Sequence, residues 1–172
     1  FSLGSFQVGA RITSVDTDVD ELIQEGVHVV IAAGNRSTKI DLSGGIDYDN
    51  TISSGTPRYY HRGASPYSLD AFMVGATDSL TTGSRENAIE KKAEYSNSGP
   101  GVDIYAPGSR VISCAPSSSE FGGYPYRLLD TDYKQARSNG TSMAAPQVTG
   151  VLAHLCQLTP GIDTQSAKNS IT

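Results

Sequence analysis

This sequence is short of several things, and each shortage removes a class of function. Basic residues are in the minority, 13 Lys and Arg against 18 Asp and Glu, for a net charge of −5. A nucleic-acid-binding surface needs a basic face, so no nucleic-acid partner is expected. No apolar run approaches the roughly 20 residues of a bilayer-crossing helix, so no membrane span is expected. The opening FSLGSF has neither a Met nor a basic stretch before an apolar one, and does not read as a signal peptide. There are only two cysteines, Cys114 and Cys156, far apart and without metal-binding spacing. They form one disulfide, or else two buried thiols among the apolar neighbours of VISCAP and LAHLCQL. Histidine is equally sparse: His28, His61 and His154 are all there are.

What is present fits one globular, loop-rich domain. The chain has 172 residues, 37% of them hydrophobic, with 18 Gly and 8 Pro. Residues 16–26 (DTDVDELIQEG) read as a helix: Val19, Leu22 and Ile23 share a face, Asp18 and Glu21 resemble a capping box, and Gly26 can end it. The run VHVVIAA at 27–33 is apolar on both faces, as a central parallel strand covered by helices on each side would be. AFMVGAT (71–77) repeats that signature, and VDIYAPG (102–108) is a shorter strand. A helix is expected from about Thr141 to Leu158, with apolar Val148, Val151, Leu152 and Leu155 at helical spacing. Another starts within 162–172. Helix alternating with apolar strand predicts an α/β fold, a three-layer αβα arrangement on a mostly parallel sheet. Residues 36–69 and 116–139 lack periodicity and read as long loops, whose many tyrosines suggest ordered contact surfaces.

The chemistry is suggested by SNGTSMAAPQVTG, residues 138–150. Ser142 falls in the first turn of the 141–158 helix, among N–H groups without intrahelical acceptors and at the positive end of the helix dipole. Pro146 is taken as tolerated there for the same reason. Such a place stabilises an oxyanion, but it also suits an ordinary helix cap. Asn35, in IAAGN, ends an apolar strand at the edge where open α/β sheets form their crevices. It can donate to an oxyanion or simply make a turn.

Together these motifs resemble those of the subtilisin-like serine proteases, the subtilase family, in the C-terminal part of their catalytic domain. GTSMAAP followed by VTG matches the nucleophile motif, which implies that Ser142 is the catalytic serine. GVHVVIAAGN matches the strand ending in the oxyanion-hole asparagine, here Asn35. By the same resemblance Ser2, Leu3 and Gly4 (SLGS) edge the substrate pocket, and Ala32, Ala33 and Gly34 form its opposite wall, small enough for a bulky or apolar side chain. FMVGATDS and EYSNSGPGVDIYAPG follow in family order. The resemblance implies a polypeptide substrate, no required cofactor and a secreted setting. It also suggests structural calcium, for which the acidic loop at 40–50 (IDLSGGIDYDN) is the candidate, with a merely solvated loop as the plainer reading.

A serine nucleophile needs a base and a group to orient it. The family's Asp and His-Gly-Thr motifs, which would precede SLGS, are missing. His154 lies twelve residues past Ser142 on the same helix, about 18 Å away at 1.5 Å per residue. His28 reads as a strand residue and His61 as a solvated loop residue. The expectation is therefore that both ends are cut, and that His and Asp come from an N-terminal remainder of the same domain, this chain being inactive by itself. Gln147 stands where the family usually has His, which is expected to alter the pocket floor slightly. Two other readings compete. One is a catalytically silent module in a larger assembly such as a virion. The other is an α/β-hydrolase esterase, disfavoured because G-T-S-M-A is not G-x-S-x-G and only His154 follows the serine.

Overall fold

The computed structural model describes residues 10–52, 59–80, 89–115, 125–127 and 134–172. Its elements are α1 (Thr13–Gln24), β1 (Val30–Ala32), β2 (Phe72–Leu80), β3 (Ile89–Lys92), β4 (Ile104–Pro107), β5 (Val111–Ala115), β6 (Pro125–Arg127), β7 (Lys134–Ser138), α2 (Thr141–Leu158) and α3 (Thr164–Ile171).

Strand β2 is the spine. It pairs in parallel with β1 along Phe72–Val74 and with β4 along Val74–Thr77, and antiparallel with β3 at its far end. Successive side chains on a strand point to opposite faces. Phe72, Val74 and Ala76 accordingly pack with Ala144, Ala145, Val148 and Leu152 of α2 and Ala167 of α3. On the other face Met73 joins Ile31, Ala33, Ile40 and Val102 against Val19 of α1. The expected αβα layering around parallel β1, β2 and β4 is thus present, with β3 making the sheet mixed. A second sheet, antiparallel in the order β5-β7-β6, occupies part of the 116–139 stretch expected to be loop.

Several expectations change in detail. Helix α1 begins at Thr13 with Ile12 as an N-cap that makes no side-chain cap, so Asp18 and Glu21 are mid-helix and form no capping box. Asp16 turns inward and accepts from Arg11 Nε (2.7 Å) and the Tyr67 N–H (2.9 Å). The helix does end at Gly26, whose N–H reaches Ile23 O at 2.9 Å while Val27 N–H reaches Leu22 O at 3.0 Å, the paired bonds of a Schellman turn. In α2 the inward residues are Ala144, Ala145, Val148 and Leu152, whereas Val151 is 54% exposed. Pro146 is the sixth residue of α2, beyond the first-turn positions where a missing N–H costs nothing, so the carbonyl of Ser142 lacks its usual partner four residues on. Both cysteines are free thiols, but Cys114 is exposed on β5 rather than buried. Within 36–69, Arg62 lies 4.6 Å from the ring centres of both Tyr48 and Tyr60, which gives that loop an internal clasp.

Candidate active site

The C-terminal ends of β1 and β4 and the N-terminus of α2 meet at one place. The Gly140 N–H donates to Gly108 O just past β4 (2.8 Å), and Gln147 Nε2 donates to Pro107 O and, at 3.1 Å, to Met143 O. Gln147 therefore ties α2 to β4 and is not among the residues lining the cavity described below, contrary to the pocket-floor role expected for it.

The first turn of α2 decides how Ser142 should be read. The N-cap is Gly140, with φ of 153°, and Ser142 is the second helical residue, so Ser142 is not a cap. Its side chain is exposed. Thr141 is fully buried, and its backbone N–H donates to Asn35 Oδ1 at 2.8 Å while its hydroxyl donates to the same oxygen at 3.0 Å. Because a backbone N–H can only donate, the amide atom facing it must be the oxygen, and Nδ2 of Asn35 is the free end. Asn35 is thus no simple turn residue: it caps α2 from the end of β1.

Most N–H groups of the first turn already have acceptors. Gly140 N–H goes to Gly108 O, Thr141 N–H to Asn35 Oδ1, and Met143 N–H to Gly140 O at 3.0 Å. The Ser142 N–H and Asn35 Nδ2 remain without acceptors among the described residues. Both lie at the positive end of an 18-residue helix. A pair of donors of this kind, beside an exposed hydroxyl, is suited to receive a developing negative charge.

The turn from Ala33 to Thr38 is held by a residue that sequence reasoning did not single out. Asn97, only 8% exposed, donates from Nδ2 to Ala33 O (2.7 Å) and accepts on Oδ1 from the N–H groups of Arg36 (3.1 Å) and Thr38 (3.0 Å). Gly34, at φ 102°, donates to Thr141 Oγ1 (3.0 Å), and a Cβ there would stand 2.7 Å from Asn97 Nδ2. Asn97 and Thr141 were visible in the sequence only as one more polar residue of SNSGPG and the middle letter of GTS.

Ala32, Ala33, Gly34 and Asn35 line a cavity of about 190 Å³ together with Arg36, Lys39, Ile52 and Tyr60. Ser2, Leu3 and Gly4 lie outside the described residues. A larger hollow of about 430 Å³, over α1 and lined by Arg11, Ile23, Tyr48 and Tyr67, includes neither Ser142 nor Asn35.

His28 and His61 are engaged elsewhere. His28 Nδ1 is 3.1 Å from Thr164 Oγ1, with its ring edge-on to Phe72. His61 is half-buried rather than solvated, its Nδ1 3.0 Å from Lys39 O. His154 is exposed on α2. The acidic loop carries its own cation: Lys39 Nζ lies 3.1 Å from Asp41 Oδ2 and 2.7 Å from Asp47 Oδ2. Asp41 also accepts from the N–H groups of Leu42 and Asp47, and the Asp47 bond is the main reason its pKa is lowered. As folded, these carboxylates are matched by the Lys39 ammonium. Among the described residues no group of three or more His, Cys, Asp or Glu is placed to hold a metal.

Over 150 residues the chain is 31% identical to a subtilisin-like protease of Coccidioides posadasii, covering 87% of this chain and 27% of that protein. It is 28% identical to cerevisin of Saccharomyces cerevisiae, covering 91% of this chain and 18% of that protein. An extracellular protease of Xanthomonas campestris pv. campestris is likewise 28% identical, over 95% of this chain and 22% of its own length. The chain thus spans roughly a fifth to a quarter of these relatives. Its fold matches a cold-adapted subtilisin-like serine proteinase with a TM-score of 0.58 at 24% identity, over 94% of this chain and 43% of the other. It matches a protease of Pseudoalteromonas arctica with a TM-score of 0.63 at 23% identity, over 94% of this chain and 39% of the other. The family model described as the subtilase family matches residues 1–172, and the chain belongs to that family.

Proposed function

We propose that the chain is the C-terminal portion of one subtilisin-like catalytic domain and that the complete protein is a serine endopeptidase. The observation that carries this reading is the pair of open donors, Ser142 N–H and Asn35 Nδ2, beside the exposed Ser142 hydroxyl at the start of α2. In the reaction Ser142 Oγ attacks the scissile carbonyl, its proton passing to a histidine that hands it to the leaving amine, and water then hydrolyses the acyl-enzyme to the acid and free Ser142. The carbonyl oxygen gathers negative charge during attack, and the two donors hold it. The histidine and the aspartate that orients it are assigned to sequence N-terminal to this chain, since His28, His61 and His154 are committed elsewhere or remote. The cavity walled by Ala32, Ala33 and Gly34 takes a substrate side chain, and by the family resemblance Ser2, Leu3 and Gly4 contribute to substrate binding. No cofactor enters this reaction. A secreted setting is favoured by the Xanthomonas relative, named an extracellular protease, and no helix among the described residues is long and apolar enough to cross a membrane.

The test is peptide hydrolysis by the full-length protein. Ser142→Ala should abolish turnover. Asn35→Ala should lower kcat by about 10²–10³, a magnitude established in a subtilisin, with KM little changed. Residues 1–172 alone should be inactive. If S142A retains full activity, the reading of Ser142 fails; if the wild type is inert, a silent structural module takes its place.

A further inference from the structure

We propose that Asn97 is the positioning residue of the oxyanion hole, aiming Asn35 by gripping the turn on both sides of it. The inference rests on the reading of Asn35 as an oxyanion donor. Asn35 lies between the end of β1 at Ala32 and an isolated bridge at Lys39, in a stretch with no regular ladder of its own. Its side chain touches only Thr141 through Oδ1 among the hydrogen bonds of the described residues, so the direction of Nδ2 depends on where the backbone holds Cα.

One residue supplies that hold. On the N-terminal side, Asn97 Nδ2 donates to Ala33 O (2.7 Å) and its backbone N–H donates to Gly34 O (2.9 Å). On the C-terminal side, Asn97 Oδ1 accepts from Arg36 N–H (3.1 Å), Thr38 N–H (3.0 Å) and the Thr38 hydroxyl (3.0 Å). The residues two before, one before, one after and three after Asn35 are thus fixed by a single side chain and its own backbone. Only a carboxamide of this length serves both sides, because the grip needs a donor and a multiple acceptor on one flat head. An aspartate would set oxygen against oxygen at Ala33. Burial keeps water from substituting for these bonds. Gly34 completes the fit, since any β-carbon there would press on the Asn97 amide.

The experiment is steady-state peptide hydrolysis by the full-length protein carrying Asn97→Ala, Asn97→Asp, Asn35→Ala and the N35A/N97A pair. N97A should lower kcat by about 10- to 100-fold, a part of the roughly 10²–10³ that the whole donor provides, with KM changed less than about threefold. In the N35A background the same substitution should change kcat by less than about threefold, because the group it aims is gone. N97D keeps the shape and the acceptor contacts, so it serves if N97A does not fold, and it should lose kcat to a similar degree. A kcat within about twofold of wild type in folded N97A or N97D overturns the proposal. So does an N97A loss that persists undiminished in the N35A background, which would mark a general structural role. An activity-independent readout separates this from the catalytic reading. In the S142A protein the Asn35 side-chain amide should give one sharp pair of NMR signals, shifted or broadened by N97D. Unchanged signals overturn the positioning role, whereas normal kcat in N35A itself overturns the assignment of Asn35 instead.

Discussion

Thr141 offers the most quantitative check on the junction between β1 and α2. Its hydroxyl is fully buried and works in two directions, accepting from Gly34 N–H at 3.0 Å and donating to Asn35 Oδ1 at 3.0 Å. Thr141→Val keeps the shape and removes both bonds. Gly34 N–H is then left facing a methyl group, and an orphaned donor of this kind costs about 1–3 kcal/mol. Asn35 Oδ1 keeps its bond from the Thr141 backbone N–H, so its loss is one ordinary hydrogen bond, about 0.5–1.5 kcal/mol. The expected destabilisation is about 1.5–4.5 kcal/mol. Thr141→Ser keeps the hydroxyl and removes one methyl group, for about 1 kcal/mol. The assay is urea unfolding of the full-length protein, followed by circular dichroism, in an S142A background to prevent self-cleavage. T141V should therefore be clearly less stable than T141S. A T141V protein within about 0.5 kcal/mol of the parent, or one more stable than T141S, would refute the two-bond account.

Two further outcomes follow from buried or paired charges. Lys168, on α3, donates to Leu69 O (2.8 Å) and Asp103 Oδ1 (3.1 Å), with a side chain only 9% exposed. Lys168→Met should cost about 1.5–3 kcal/mol in the same urea assay, the range for hydrogen bonds to charged groups, and an unchanged midpoint would refute this. In the Lys39 loop, Asp47 has its carboxyl pKa lowered from 3.8, chiefly by the Lys39 hydrogen bond, and Asp41 has its own lowered from 3.8, chiefly by the Asp47 N–H. The Lys39 pKa is raised from 10.5, chiefly by Asp47. Depressed carboxylates stabilise the fold above their unfolded pKa and lose that contribution as pH falls through the folded values, below 3.8. The raised lysine contributes fully below 10.5 and loses its part as pH rises through its folded value. Amide protection in residues 39–50, taken relative to the intrinsic exchange rate at each pH, should therefore fall below about pH 4 in the parent and change less with pH in Asp47→Asn. Equal acid profiles would contradict the pairing.

Legibility in the sequence tracked how local each signal is. The α2 helix was readable from end to end because its apolar residues recur at helical spacing, yet Val151 showed that periodicity fixes a face only to within a residue. β1 and β2 were readable as doubly buried runs, although only Val30–Ala32 of the seven-residue run pairs as strand. The 116–139 sheet was not, because β6 and β7 carry Pro125, Arg127, Lys134 and Arg137 and have no apolar alternation to give them away. The capping box at Asp18 misled because the helix begins earlier, at Thr13, with Ile12 as an N-cap that no polar side chain marks. Ser142 and Asn35 were legible as motif positions, but Asn97 and Thr141 act across 64 and 106 residues of chain. His61 has its partner, Lys39 O, 22 residues away, where no local pattern announces it. Lys39 likewise pairs with Asp47, eight residues on, a contact that the acidic composition of 40–50 does not announce.

The most direct test of the central claim is fluorophosphonate labelling of the full-length native protein, followed by peptide mapping. The account predicts a single adduct on Ser142 that forms on folded protein, disappears after heat denaturation, and forms more slowly in Asn35→Ala. An unlabelled folded protein, or an adduct on any other residue, would contradict it.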